Sequence, residues 1–216
     1  MSYNVTMHEI IPGILEKDFS GIERKIEIVK PFAKTVHIDI IDGKFAPDTT
    51  FLDPIPFSKY AQDLFLEVHM MVENPIQYLE SFAKAGFKRF IGHIEKMPSQ
   101  AEFVAKAKLL GEVGLAIDGQ TSLSEVKIPY DDLDCILVMT IKAGQSEQEF
   151  NPEYLKKVDA IKKVQEFLPI EIDGGINDKT ILVAKSVGVN RFVSTSFIFS
   201  AQNPQEQYNL LNKCLE

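Results

Sequence analysis

The feature that most limits what this chain can become is a rhythm. Eight short runs rich in β-branched and aromatic residues recur, each separated from the next by a longer stretch. The runs are Glu9 to Leu15, Thr35 to Ile41, Leu66 to Val72, Arg89 to Glu95, Glu112 to Asp118, Cys135 to Lys142, Ile170 to Ile176 and Arg191 to Ile198. Most of the intervals carry apolar residues at helical spacing. Ile22, Ile26 and Val29 share one face after the first run; after the third, Asn74 offers a cap, Pro75 a first helical position, and Tyr78, Leu79 and Phe82 an apolar stripe. Ser99 to Leu110, Pro152 to Phe167, Asp178 to Val187 and Pro204 to Leu215 repeat the pattern, whereas Ser122 to Val126 gives barely one turn. Strict strand–helix alternation makes the strands parallel, because each crossover helix returns the chain to the same end of the sheet. Eight is the number that closes a parallel barrel. The rival, an open doubly wound sheet, often carries a glycine-rich first turn, where this chain has Glu16-Lys17-Asp18-Phe19. The expected fold is α/β: a single (β/α)₈ TIM barrel, residues 1–216 forming one domain.

Charge narrows the partners. The net charge is -8, which disfavours nucleic acid and anionic membrane surfaces. It also repels a phosphorylated ligand, so any phosphate site must create its own field from backbone N–H groups or a helix N-terminus. No apolar run approaches the roughly 20 residues of a membrane span, and the opening MSYNVTMHEI lacks the pattern of a signal peptide. Cys135 and Cys214 are the only cysteines and lie far apart, so they read as reduced thiols of a cytoplasmic protein.

In such a barrel, chemistry belongs at the C-terminal ends of the strands. His37 and Asp39 lie two residues apart, on one face of the second run. His69 lies near the end of the third, His93 and Glu95 share a face of the fourth, and Asp173 lies in the seventh. Apolar neighbours pull each toward burial, where an unpaired charge is costly. For one histidine alone, a hydrogen-bonded network in the barrel mouth is the simpler account. For the group, a divalent cation is favoured, and imidazole with carboxylate suits Zn²⁺, Fe²⁺, Mn²⁺ or Co²⁺ rather than Ca²⁺. A second signal is Asp173-Gly174-Gly175-Ile176-Asn177-Asp178, whose paired glycines let backbone N–H groups approach an anion. With Ser194-Thr195-Ser196 of the eighth run, it occupies the usual phosphate position of this architecture. A tight strand-to-helix turn capped by Asp178 would explain the glycines equally well.

Together these segments resemble the ribulose-phosphate 3-epimerase family over nearly the whole chain. The specific pieces are His37-Ile38-Asp39-Ile40-Ile41-Asp42-Gly43 with Phe45 and Pro47, then Val68-His69-Met70-Met71-Val72, Leu137-Val138-Met139-Thr140, and Glu171-Ile172-Asp173-Gly174-Gly175-Ile176. The resemblance implies a ribulose-phosphate-binding barrel that interconverts D-ribulose 5-phosphate and D-xylulose 5-phosphate in the pentose phosphate pathway. It implies one divalent metal ion held by His37, Asp39, His69 and Asp173, with Asp39 and Asp173 as the acid–base pair. It implies an enediolate stabilised by the metal as a Lewis acid. Gly144, Gly174, Gly175, Thr195 and Ser196 would hold the phosphate, and Met71 and Met139 would line the site, although ordinary barrel packing accounts for the methionines as well. The partner is a small-molecule sugar phosphate, and relatives are often homo-oligomers, dimers or larger.

Departures from the family pattern are also present. Gly13 replaces a serine of the first strand, which removes a polar contact to substrate. Ile41 replaces a methionine. The loop after the sixth strand reads Ala143-Gly144-Gln145-Ser146-Glu147-Gln148, losing two glycines and an aromatic and adding the negative charge of Glu147 beside the phosphate. Thr195 replaces a glycine, leaving less room for the phosphate. The altered loop motivates a second reading, the same chemistry on a hexulose 6-phosphate such as D-allulose 6-phosphate. Glu147 and Thr195 motivate a third, a homologue that binds metal or sugar phosphate without turnover. A barrel decarboxylase or lyase would favour an Asp-x-Lys-x-x-Asp arrangement, for which only Asp42 and Lys44 stand in place.

Overall fold

The computed structural model of the chain describes residues 8–144 and 148–216. The expectations for Gln145, Ser146 and Glu147 lie outside the described residues. Eight parallel strands form a closed barrel in sequence order: β1 (Glu9–Ile14), β2 (Thr35–Ile41), β3 (Phe65–Met71), β4 (Arg89–His93), β5 (Glu112–Ile117), β6 (Cys135–Met139), β7 (Ile170–Asp173) and β8 (Arg191–Ser194). Closure comes from β8 pairing with β1, Glu9 against Arg191 through Pro12 against Ser194. The helices are α1 (Phe19–Val29), α2 (Leu79–Lys84), α3 (Gln100–Ala107), α4 (Lys156–Val164), α5 (Thr180–Ser186), α6 (Ser196–Phe199) and α7 (Pro204–Leu215).

Period-2 alternation sorts the strand side chains into two layers. The larger apolar layer lies between strands and helices, where Ile22, Ile26 and Val29 of α1 meet Ile10, Ile14, Ile38 and Ile40. The smaller one fills the upper barrel with Ile41, Met71, Ile91, Leu137 and Met139. Helix starts follow their caps: Asp18 accepts from Gly21 N–H at 2.9 Å before α1, and Asn74 accepts from Ile76 N–H, although the turn it starts, Pro75–Tyr78, is 3₁₀ before α2 begins.

Two differences from the sequence expectation bear on the site. The strands stop earlier than their apolar runs: β7 ends at Asp173 and β8 at Ser194, while Ser196 to Phe199 form α6. Ile176 and Ile198 are apolar because they pack into the outer layer, not because they are strand. The second difference is the interval after β2, which holds a 3₁₀ turn at Ile55–Tyr60 rather than a helix; after β5, Ser122 to Val126 forms the single short turn expected, Leu123–Glu125, followed by another at Tyr130–Asp132. Phe57 and Tyr60 of the first turn are buried and cover that stretch of the barrel. Among the described residues, no helix is long and apolar enough to cross a membrane.

Candidate active site

Strand register assembles the site. Asp39 of β2 stands beside His69 of β3, Gly13 of β1 beside His37, and Met139 of β6 beside Asp173 of β7. The result brings His37, Asp39, His69 and Asp173 together, one potential ligand atom from each lying within 4.8 Å of the others. Asp39 Oδ1 is 2.8 Å from His69 Nδ1 and 3.3 Å from His37 Nε2. Asp173 Oδ2 is 3.9 Å from His69 Nδ1. Both histidines are fully buried.

The layer beneath decides which imidazole nitrogen faces the cluster. His37 Nδ1 lies 2.7 Å from Glu67 Oε1. Glu67 is buried beside Arg89, which donates from Nη1 to its other oxygen and from Nε to Glu112 at 2.8 Å. Burial raises the Glu67 pKa, but the Arg89 and His37 charges outweigh it and bring the carboxyl down to about 2. An ionised Glu67 can only accept, so His37 Nδ1 donates to it; burial lowers the His37 pKa, but the negative charge of Asp39 outweighs it and keeps the imidazole protonated in the cation-free protein, and a bound cation would take the place of the Nε2 proton. That Nε2 is buried and makes no hydrogen bond. An orphaned buried nitrogen, a second imidazole and two carboxylates fit a divalent cation in an N₂O₂ setting, with Glu67 as the outer partner that orients a ligand.

The two aspartates are driven in opposite directions. Burial raises the Asp39 pKa, yet the charges and hydrogen bonds of His37 and His69 overcome it and hold Asp39 ionised below the usual carboxylate range. Burial, then the negative charge of Asp39, raises Asp173 from 3.8 to about 6. In the cation-free protein Asp173 thus favours folding while protonated. Its contribution is complete below pH 3.8 and is lost as pH rises through about 6. Unfolding measured in chelator is expected to lose stability across that window, and Asp173→Asn to flatten that part of the profile. An unchanged profile would contradict the shift.

Above the cluster lies a cavity of about 370 Å³ bordered by Asp39, Ile41, Met71, Met139 and Asp173. Its rim carries Gly144, Gly174, Gly175, Thr195 and Ser196. Met71 and Met139 therefore both line the cavity and pack in the inner apolar layer. Gly174 and Gly175 have φ of 120° and 68°, and a Cβ on Gly174 would sit 2.6 Å from Ile141, so both φ angle and space require glycine here. The Thr140 hydroxyl donates to the carbonyls of Asp173, at 3.0 Å, and of Gly174, pinning the turn that carries the carboxylate. Asn177, not Asp178, caps the following helix, accepting from Lys179 and Thr180 N–H groups.

Two departures noted in the sequence prove to be one. A Cβ on Gly13 would lie 2.4 Å from Thr195 Oγ1 and 2.7 Å from Val193 Cγ1. The Thr195 hydroxyl thus fills the space that a side chain at position 13 would need, and keeps a hydroxyl on that wall of the mouth. β-branched Thr195 and Val193 yield little. Gly13→Ser is expected to cost about 1–3 kcal/mol through overpacking. Adding Thr195→Gly should restore the part owed to Thr195, the Val193 contact remaining, as read by urea unfolding; additive losses would contradict the coupling.

The remaining polar candidates sit beside the cluster. His93 donates through Nδ1 to the ionised Glu95 at 2.8 Å and packs between Phe45 and His69, ring centroids 4.8 Å from each. Burial lowers its pKa, so it is neutral packing next to His69. Lys44 is exposed and pairs with Glu73 at 3.2 Å, outside the cavity lining. Sequence reading passed over Glu67, Arg89 and Thr140 as site components. Glu67 lies two residues before His69 and Glu171 two before Asp173, so period 2 could have flagged both as inward-facing.

Comparisons with known proteins give the chain its relatives. The chain is 36% identical to the ribulose-phosphate 3-epimerase, cytoplasmic isoform, of Oryza sativa, with 96% of this chain and 94% of that protein covered. It is 33% identical to the ribulose-phosphate 3-epimerase of Schizosaccharomyces pombe, over 92% of this chain and 90% of the relative. The fold matches the crystal structure of 3-hexulose-6-phosphate synthase from Salmonella typhimurium with a TM-score of 0.73 at 11% identity, covering 96% of this chain and 98% of that one; at such identity the likeness speaks to the barrel alone. The Ribulose-phosphate 3 epimerase family matches residues 9–199, nearly the whole barrel, and the chain belongs to that family.

Proposed function

We propose that this protein is a metal-dependent epimerase that interconverts D-ribulose 5-phosphate and D-xylulose 5-phosphate by proton transfer at carbon 3. The observation that carries the reading is the pair Asp39 and Asp173. Both border one cavity, and their surroundings drive their proton affinities apart. That is the arrangement in which one carboxylate takes a proton while the other has one to give. β2 and β7 are separated by β1 and β8 in the barrel, so the two groups approach a ligand from different strands. Asp39, ionised, removes the proton from carbon 3 on one face, and Asp173 delivers a proton to the other, which inverts the centre. In the reverse direction the roles exchange.

His37, Asp39, His69 and Asp173 would hold Zn²⁺, Fe²⁺, Mn²⁺ or Co²⁺. When bound, the cation supplies Lewis acidity that stabilises negative charge on nearby substrate oxygens. The phosphate would lie against Gly144, Gly174, Gly175, Thr195 and Ser196, whose backbone N–H groups answer the repulsion from a chain of net charge -8. Met71 and Met139 close the apolar side and exclude water. The reading places the protein in pentose phosphate metabolism. The rice relative is a cytoplasmic isoform, which supports a cytoplasmic location for this protein.

The test supplies ribulose 5-phosphate in deuterium oxide with each metal in turn. Exchange of the carbon-3 proton with formation of xylulose 5-phosphate is the expected result, and no exchange with any metal rejects the reading. Running D-allulose 6-phosphate in parallel decides the chain length, the five-carbon substrate being expected to give the higher kcat/KM.

A further inference from the structure

We propose that Lys25 of α1 is a phosphate-binding residue that exchanges its partner Glu16 for the substrate. The inference rests on the sugar-phosphate reading above and adds a side-chain cation to a site otherwise built from backbone donors.

Among the described residues bordering the 370 Å³ cavity, Lys25 is the one positively charged side chain. It borders that cavity together with Ser196, Phe199 and Ser200, at the β8–α6 end where the phosphate donors gather. Its ammonium lies 4.9 Å from the centre of the Phe199 ring, within one turn of Ser196 along α6. Lys25 is on the flank of the α1 stripe formed by Ile22, Ile26 and Val29, so its aliphatic stem follows the buried face while the charged end reaches the mouth. The side chain is only 22% exposed.

Without substrate the charge is satisfied locally. Lys25 Nζ is 2.7 Å from Glu16 Oε1, and Glu16, 32% exposed, lies just past the end of β1. The pair holds the ammonium at the rim, and the Phe199 face adds a cation–π contact. A dianionic phosphate entering the cavity outcompetes a single carboxylate for that ammonium, and Glu16 is exposed enough to return to water. Glu16 therefore acts against substrate binding in proportion to its hold on Lys25, so removing the two charges has opposite consequences.

The experiment measures Kd for inorganic phosphate and KM for ribulose 5-phosphate in Lys25→Met and Glu16→Gln. A charge-assisted hydrogen bond lost from a bound phosphate is expected to raise both values about 10- to 100-fold in Lys25→Met, with kcat within about threefold. Glu16→Gln is expected to lower both a few-fold. Unphosphorylated D-ribulose, used as a poor substrate or a weak ligand, should bind the wild type and Lys25→Met alike. Unchanged phosphate affinity in Lys25→Met, or weaker affinity in Glu16→Gln, would overturn the assignment. The two readings fail separately. A wild-type protein that binds phosphate through Lys25 but exchanges no carbon-3 proton loses the proposed reaction and keeps the phosphate ligand. A wild-type epimerase indifferent to Lys25→Met loses the ligand and keeps the reaction.

Discussion

Asp39→Asn and Asp173→Asn are each expected to lower the epimerisation rate about 10²–10⁴-fold, the range that removal of a general acid or base covers. Asparagine has nearly the same shape and keeps one acceptor oxygen, so packing changes little and the loss falls on proton transfer. The two variants should differ in a way that a merely structural role would not produce. With Asp39 neutralised, the proton facing Asp173 can still be drawn off and returned on the same side. That leaves residual solvent exchange from one epimer and no inversion, and Asp173→Asn should show the mirror behaviour with the other epimer. Metal content must be measured alongside, because both residues belong to the four-residue cluster; kcat is compared per bound metal at saturating metal. Turnover within tenfold of wild type in either variant would remove that residue from the acid–base pair.

The second large effect concerns Glu67, which does not border the cavity and yet should govern the site. It joins His37 Nδ1, at 2.7 Å, to Arg89. Glu67→Ala leaves the Arg89 guanidinium buried beside an empty space and His37 without its acceptor. Breaking one side of a buried ion pair costs about 3–5 kcal/mol, and loss of an outer partner that orients a metal-binding histidine weakens the metal about 10–100-fold. Glu67→Gln separates the two effects. The amide oxygen still accepts from His37, so metal affinity is expected to stay within about tenfold, while the neutral side chain gives up the ion pair and stability still falls. Metal affinity by chelator competition and stability by urea unfolding are the readouts. Equal loss of metal in both variants would mean that charge, not the orientation of His37, is what matters.

The barrel was legible before any coordinates because its signal is repeated. Eight apolar runs at uneven but regular intervals leave few topologies, and boundary errors of two to four residues do not change the strand count. Those errors fell at the C-terminal ends of β4, β6, β7 and β8, and at the last two the reason is visible. Ile176 and Ile198 are buried in the outer layer between barrel and helices, and burial alone does not distinguish strand from turn or helix. The ligand candidates were legible because a charged or imidazole side chain amid β-branched neighbours demands a partner, and His37, Asp39, His69 and Asp173 each stood in such a setting. His93 stood in the same setting and is instead paired with Glu95 and stacked on Phe45. Local pattern cannot separate these two outcomes, because both satisfy the same buried polar atom.

Alternation and composition thus sufficed for the architecture and for the residue types at the strand ends, since both depend on periodicities that run along the chain. Distances across the barrel obey no such period. That Glu67 turns the Nε2 of His37 toward Asp39, that Thr195 takes the space denied to Gly13, and that Lys25 of an outer helix reaches the mouth are facts of how strands and helices far apart in sequence are staggered against one another. Barrel closure sets that stagger, because each strand's register depends on the seven others.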